Sequence, residues 1–271
     1  MTPTKSLICP YFLKALGYSV PIGGLSGLIG LGGGEFRLPV LIHVIGFNAR
    51  SAIPLNLCIS LATLAFALIA RSHAVPVSAV TGHLPELLAL AAGGIASAFY
   101  GTAVVHRLSD KRLLSLISVL LVALGCLLVV EAFLVPEPCS LVGDDPTVRM
   151  AVGFGIGLGV GAVSSILGVA GGELLIPALV LVFGADIKVA GTTAILISLA
   201  VVSTGVFRYW RAGAIPVNQG ARRISAALLI GSLAGAALGG LAVAIAPTVV
   251  LKVLLGGILI AAGLRSLGKT E

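Results

Sequence analysis

The chain has 271 residues, 58% of them hydrophobic and only 10% charged, with a formal net charge of +7. A soluble domain carries about 25% charged residues, so this composition excludes an ordinary globular protein and, with apolar runs recurring along the whole length, reads as a multi-spanning membrane protein. The basic residues stand singly or in pairs between apolar segments, which orients a membrane protein and leaves no basic surface for nucleic acid.

In chain order, the first half supplies apolar segments at about 11–32, 36–47, 51–70, 84–106 and 113–134. The second half supplies five more, at about 148–169, 174–184, 190–207, 223–245 and 249–267. Lys5 followed by apolar residues raises the possibility of a signal peptide, but no small-residue cleavage site precedes a polar stretch, so a retained first helix is expected. The second segment of each half is too short to cross alone: about 11 residues at 1.5 Å each give roughly 16 Å, half the hydrocarbon thickness. It either pairs to cross or folds back as a re-entrant hairpin. Cys9, Cys58, Cys126 and Cys139 have no metal-ligand spacing and read as packing between apolar side chains. No metal and no other cofactor is expected.

Shifting the sequence against itself by 138 residues makes 14 of the 44 positions between Ser26 and Ile69 identical. Ser26 meets Ser164, Gly30 meets Gly168, Gly33–Gly34–Glu35 meets Gly171–Gly172–Glu173, and Pro39 meets Pro177. The register returns where Gly101 meets Gly239 and Gly125 meets Gly263, after a two-residue shift at Val75–Pro76 and Ile215–Pro216. This is an internal duplication.

Lysine and arginine set the orientation. The connections Arg107–Arg112 and Arg208–Arg223 are basic, whereas the central connection contains Glu137, Asp144 and Asp145 among prolines. Counting spans from these anchors places both termini in the cytoplasm, the 71–83 loop outside and its repeat partner inside. Arg71 and His73 on the outer loop run against that count. The expected fold is an all-α membrane protein of two inverted repeats of about five hydrophobic segments each. They cover residues 1–135 and 148–271 around an external linker at 136–147, and their short, broken or re-entrant second segments meet near mid-membrane. Such inverted repeats describe a secondary transporter rather than an enzyme.

The stretches GLGGGEF and GVAGGEL break the apolar run just before a short helix. Irregular backbone in a membrane must find partners in protein, water or substrate. A helix amino end carries free N–H donors and partial positive charge. Gly32, Gly33 and Gly34 in the first copy, with Gly171 and Gly172 in the second, are therefore candidate anion ligands; the alternative is that they only let helices pack tightly. Glu35 and Glu173 fall in the same register, where a charge is costly. They cap amides or gate the pathway, or they carry protons that couple transport, or Glu35 pairs with Arg37. Arg37 has no counterpart, since Leu175 stands in its place; it pairs with Glu35 or binds the anion as a bidentate donor. Asn56, Thr192 and Thr193 at the heads of the third segments either add donors to the site or bond back to their own helices. His43 reads as a satisfied core histidine.

GLSG at Gly24–Gly27 resembles the surroundings of the serine in rhomboid proteases, which makes an intramembrane serine protease using Ser26 the alternative function. Gly153–Gly161 and Gly231–Gly240 read as small-residue helix faces and not as dinucleotide loops. The two copies SGLIGLGGGEFRLPVL and SSILGVAGGELLIPAL resemble the TauE/SafE family of membrane permeases. That resemblance implies export, by alternating access, of a small sulfur-containing oxyanion: sulfite, thiosulfate, or a sulfonate such as sulfoacetate or taurine. A channel-like anion permease is the further alternative. Pro54–Leu55 in place of Thr192–Thr193, and Ala170 in place of a glycine, imply that the half-sites differ. The expected location is the cell inner membrane, and the expected partners are the anion and the lipid bilayer, with a homodimer left open.

Overall fold

A computed structural model describes residues 8–72, 75, 84–105, 110–134, 140–143, 145–167, 169–216 and 219–267. The expectations attached to His73, Pro76, Cys139, Gly168 and residues 107–109, and to the side chains of Cys9, His43, Arg50 and Arg112, fall outside the described residues.

Every regular element described is helical. In lipid only an element that satisfies its own backbone can span, and these Ala-, Leu- and Val-rich runs do so as helices. The first half contains α1 (Ile8–Ile29), α2 (Gly34–Pro39), α3 (Ala49–Arg71), α4 (Leu84–Val105) and α5 (Asp110–Leu134). The second contains α6 (Pro146–Leu167), α7 (Gly172–Pro177), α8 (Ile187–Arg211), α9 (Gln219–Ala242) and α10 (Thr248–Leu267). Among the described residues, five helices are long and apolar enough to cross a membrane: the main parts of α1, α3, α6, α8 and α9.

The duplication read from sequence reappears in the elements. Adding 138 to the bounds of α1 and α2 gives the bounds of α6 and α7. Pairing follows the same rule: α1 packs on α9 as α6 packs on α4, and α3 on α9 as α8 on α4, while α3 meets α8 and α5 meets α10. Glycine makes the closest of these approaches possible. A Cβ on Gly235 would drive into the carbonyl oxygen of Val20, and one on Gly157 into that of Leu90. Such small-residue seams replace the hydrophobic drive that lipid does not supply.

Pro39 and Pro177 end the α-helical geometry of α2 and α7, and each chain continues as a wider π-helical turn, Val40–Val44 and Ala178–Val182. The second short segment folds back toward the start of α6. The carbonyl of Val182 accepts from the amides of Leu141 and Val142 and from Ser140 Oγ, all of which immediately precede α6. The first short segment turns back likewise, since Leu41, Ile45 and Phe47 pack with Phe12 and Ala15 near the start of α1.

Two expectations change. Arg71 is not a loop charge: it closes α3 with no solvent exposure, bonded to other helices. Its count against the orientation therefore lapses. Of the cysteines with described side chains, Cys58 is half-buried and Cys126 exposed on its helix, so the latter fills no core position.

Candidate functional site

The two glycine breaks lie against each other. A Cβ on Gly32 would fall 2.7 Å from that of Ala170, and one on Gly172 would fall 3.0 Å from the carbonyl oxygen of Gly30 and the Cα of Leu31. Gly34 faces Val169. All these residues are buried. Asn56 and Ser60 of α3 flank Gly34, and Ser198 of α8 holds Ala170, so the crossing sits level with the middles of the two long third helices. Gly33 and Gly171 occupy the N-cap positions at φ 69° and 76°, a left-handed backbone that glycine adopts without strain.

Breaking a helix frees carbonyls and amides together. Side chains take up the carbonyls. Asn56 Nδ2 donates to the Gly34 carbonyl at 3.0 Å, Ser198 Oγ to that of Ala170 at 2.9 Å, and Ser164 Oγ to that of Val169. Arg71 Nη1 donates to the carbonyls of Gly27 and Leu28 at the end of α1, at 2.9 and 2.8 Å. The first amides of α2 and α7 have no carbonyl behind them in their helices. Glycine at each N-cap offers no side chain to cap them. The crossing is thus a buried place where two glycine-capped helix starts meet, with side chains bonded to the carbonyls of Gly34, Val169 and Ala170.

Arg37 lies fully buried beside it. Its Nη1 donates to Ser60 Oγ at 3.1 Å and to Asn56 Oδ1 at 3.5 Å, and its Nη2 to Ser232 Oγ of α9 at 3.2 Å. Its Nε has no partner. No ion pair joins it to Glu35; Glu86–Arg149 is the ion pair found among the described residues. Both carboxyl oxygens of Glu35 are buried without a partner, as are Ser26 Oγ and Thr193 Oγ1. Glu35 and Glu173 stand in the first turns of α2 and α7, within electrostatic reach of one another. Thr192 is engaged elsewhere: it accepts from Arg71 Nε at 3.1 Å and donates to the Lys188 carbonyl in its own helix at 3.1 Å. Buried polar atoms lacking partners are rare in folded proteins; Glu86 Oε2 and Ser225 Oγ are further examples here.

Sequence reasoning passed over Ser60, Ser198, Ser232 and Arg71. Ser60 and Ser198 are an identical pair in the 138-residue register, and that signal was available. Nothing comparable announces Ser232 or Arg71. Ser26, on which a protease reading would turn, is fully buried with no hydrogen-bonded base on its Oγ among the described residues.

The two ends of the molecule differ. At the end where α8 finishes, a cavity of about 450 Å³ runs from exposed Arg211 and Ala212 inward to buried Val201, Val202 and Ser164. Ten residues of α8 separate Arg211 from Val201, about 15 Å of helix or half the hydrocarbon thickness. Arg208 lines the cavity and donates to the Ala98 carbonyl, and Trp210 and Phe207 beside it are exposed, an aromatic pair suited to the lipid interface. At the opposite end, Arg149 Nε meets Glu86 at 2.6 Å, and its Nη2 holds the Phe183 carbonyl at 3.1 Å. That clamp joins α4, α6 and the tip of the second short segment.

Comparison with known families gives one result: the family model described as sulfite exporter TauE/SafE matches residues 15–266. No curated protein and no solved structure matches the chain.

Proposed function

Because the chain belongs to the TauE/SafE sulfite exporter family and is a multi-pass membrane protein, we propose that it carries a small sulfur-containing oxyanion out of the cell by alternating access. The cargo on this reading is sulfite, thiosulfate or a sulfonate such as taurine or sulfoacetate. The observation that carries the proposal is the meeting of two glycine-capped helix starts at a buried crossing, beside the buried Arg37. Gly32, Gly33, Gly34, Gly171 and Gly172 supply the backbone cradle. Arg37 and Thr193 supply nearby donors, and Asn56 and Thr192 hold their neighbours in place. A three-oxygen anion suits convergent N–H groups.

The repeats are inverted on this reading, as 1–135 and 148–271 around the 136–147 linker. Several facts support it. The end of α3 lies beside the start of α8, through Arg71 and Lys188, and α5 runs antiparallel to α10, with Ser118 near Gly263 and Val129 near Gly256. On this reading the cavity end, with Arg208, Arg211, Arg222 and Arg223, and both termini face the cytoplasm across the inner membrane, as an excess of basic residues favours. With the interior negative, each exported negative charge gains about 2.3 kcal/mol per 100 mV, so export needs no coupled ion. Glu35 and Glu173 gate the crossing: two carboxyl groups this close shed mutual repulsion when either takes up a proton or moves apart.

Flux of radiolabelled sulfite and taurine in proteoliposomes tests the reading. Gly34→Val is expected to abolish flux and binding while the protein still inserts. Unchanged affinity in that variant would make the glycines mere packing residues. A flux that never saturates would favour the channel-like alternative.

A further inference from the structure

The cavity at the end of α8 has a counterpart that the fold keeps shut. Subtracting 138 from Ser164, Val201, Val202 and Gly205 gives Ser26, Thr63, Leu64 and Ala67; adding 138 to Leu57 gives Ile195. In the structure Ser26, Thr63, Leu64, Ala67 and Ile195 are all without solvent exposure. Leu57, Ser164, Val201 and Val202 are nearly as buried, so the two constructions differ toward the mouth, where Gly205 and Tyr209 are partly exposed beside α8 and their equivalents Ala67 and Arg71 are covered beside α3. Arg71 sits at that covered mouth. From the last residue of α3 it reaches the carbonyls of Gly27 and Leu28 on α1, and the carbonyl of Lys188 and hydroxyl of Thr192 on α8. The Glu86–Arg149 clamp lies at that same end.

The open cavity has the chemistry of a binding site. Arg208 and Arg211 stand at its outer part with no acidic partner among the described residues, and Arg211 rests on the Phe207 ring at 5.7 Å. Leu57, Phe99, Val201 and Val202 make its walls apolar, and Ser164 at its floor touches the second break through the Val169 carbonyl. Its volume of about 450 Å³ lies within the range of small-molecule sites and exceeds the need of a bare inorganic oxyanion.

We propose that this cavity is an anion vestibule in which Arg208 holds the acidic group of a small organic anion against apolar walls, and that Ser26, Thr63, Ala67 and Arg71 line its alternately opened twin on the other side of the membrane. The vestibule rests on the transporter reading above and adds to it the approach to the crossing, the residue that recognises the charge and the residue that bars the exit. In this arrangement the anion enters beside α8 and reaches the crossing of the two breaks. It leaves beside α3 once the four bonds of Arg71 part.

Thiol labelling in phosphatidylcholine vesicles tests this, in a background with the four native cysteines replaced. A Cβ at Gly205 meets Leu57 Cδ1 at an ordinary 3.5 Å, so Gly205→Cys fits without rearrangement. It is expected to react with a charged, impermeant maleimide from the side bearing Arg211, and ethanesulfonate is expected to slow that reaction at least tenfold. Adding Arg208→Gln should remove the protection, and Arg208→Lys should keep part of it. Ala67→Cys should stay unreactive without cargo and react from the opposite side when ethanesulfonate is supplied. Labelling of Ala67→Cys from the same side as Gly205→Cys, or none while flux proceeds, would overturn the paired vestibules. Protection by phosphatidylglycerol but not by ethanesulfonate would overturn the cargo site and assign the arginine to a lipid headgroup. A protein that carries no sulfur anion yet labels from two sides would refute the transported cargo and leave the vestibules standing.

Discussion

At the first break the chain surrounds its glycines with Arg37, Asn56 and Ser60; at the second, the same positions hold Leu175, Ala194 and Ser198. The backbone of the two is nevertheless alike: a left-handed glycine cap, a six-residue helix with glutamate second and proline last, then a five-residue π turn. What the halves share is therefore the geometry of the break, carried by glycine, glutamate, proline and the serine on the third helix. What they do not share is charge. Arg37 makes one half-site cationic and ties it, through Ser232, to a helix of the other half. The second half-site has buried Leu174, Leu175 and Ile176 around it and no arginine at the matching position. On the transporter reading, such a site would grip its anion from the side of Arg37.

Arg37→Leu, which copies Leu175 into the first half, is the sharpest way to break that comparison. Hydrogen bonds to charged groups are worth about 1.5–3 kcal/mol, so losing the guanidinium as an anion donor should weaken sulfite or taurine binding by about 10- to 100-fold. Calorimetry on purified protein measures it. Arg37→Lys, which keeps the charge without the fork, should recover part of the affinity. If Arg37→Leu lowers only the melting temperature, the arginine is scaffolding and the half-sites are functionally equal.

The shared geometry was legible in the sequence because it is written in residues with strong backbone meaning. Gly33, Gly171, Pro39 and Pro177 recur in one register, and the apolar segments matched the helices closely wherever residues are described. The lone Arg37 opposite Leu175 was legible in the same register; the partners that tertiary packing brings together were not. Arg71 ends an apolar run and looks like a membrane anchor; only the approach of α1 and α8 turns it into a buried staple. Ser60 and Ser198 look like hydroxyls that bond back to their own helices, yet both reach across to other elements. The cavity arises where α4, α6 and α8 part around Phe99, Ser164 and Val201, and a gap between helices leaves no mark on the periodicity of any one of them.

A second pair of variants sharpens the comparison of backbones. At Gly172 an added methyl meets the carbonyl oxygen of Gly30 and the Cα of Leu31 at 3.0 Å, and neither can move without moving the first break. At Gly34 it meets Asn56 Nδ2 and Ser60 Oγ at 3.1 Å, which are side chains and can shift. Gly172→Ala should therefore cost about 1–3 kcal/mol and depress the melting temperature more than Gly34→Ala does. Gly34→Ala should instead disturb the hold on Arg37 and weaken the anion. Reversal of that order would mean that the second break has slack which the packed structure does not display.

The clamp extends the asymmetry to the ends of the molecule, since Ile224 and Tyr11 occupy the positions equivalent to Glu86 and Arg149. Glu86→Gln keeps the shape and removes the charge. The pair is largely buried, and breaking such a pair from one side costs about 3–5 kcal/mol, so stability should fall by up to that order while initial efflux rates rise, because the closed end separates more readily. A slower efflux would place the clamp on the rate-limiting path of reclosing and not of opening.

The smallest effects should come from the two serines, and they discriminate most finely. Ser198→Ala orphans the Ala170 carbonyl in a buried place. Inter-helical hydrogen bonds in membranes average about 0.6 kcal/mol, so the melting temperature should fall slightly while anion affinity holds, since the hydroxyl lost is already committed to the Ala170 carbonyl. Ser60→Ala leaves every backbone group satisfied, but Arg37 Nη1 keeps only the long 3.5 Å bond to Asn56 Oδ1. The guanidinium loosens, and affinity should drop a few-fold with little change in stability. Equivalent positions in a duplicated fold would then serve opposite ends, one holding the break together and the other aiming the charge beside it. Matching behaviour of the two variants would show that Arg37 does not depend on Ser60 for its aim, and that the asymmetry begins at the arginine itself.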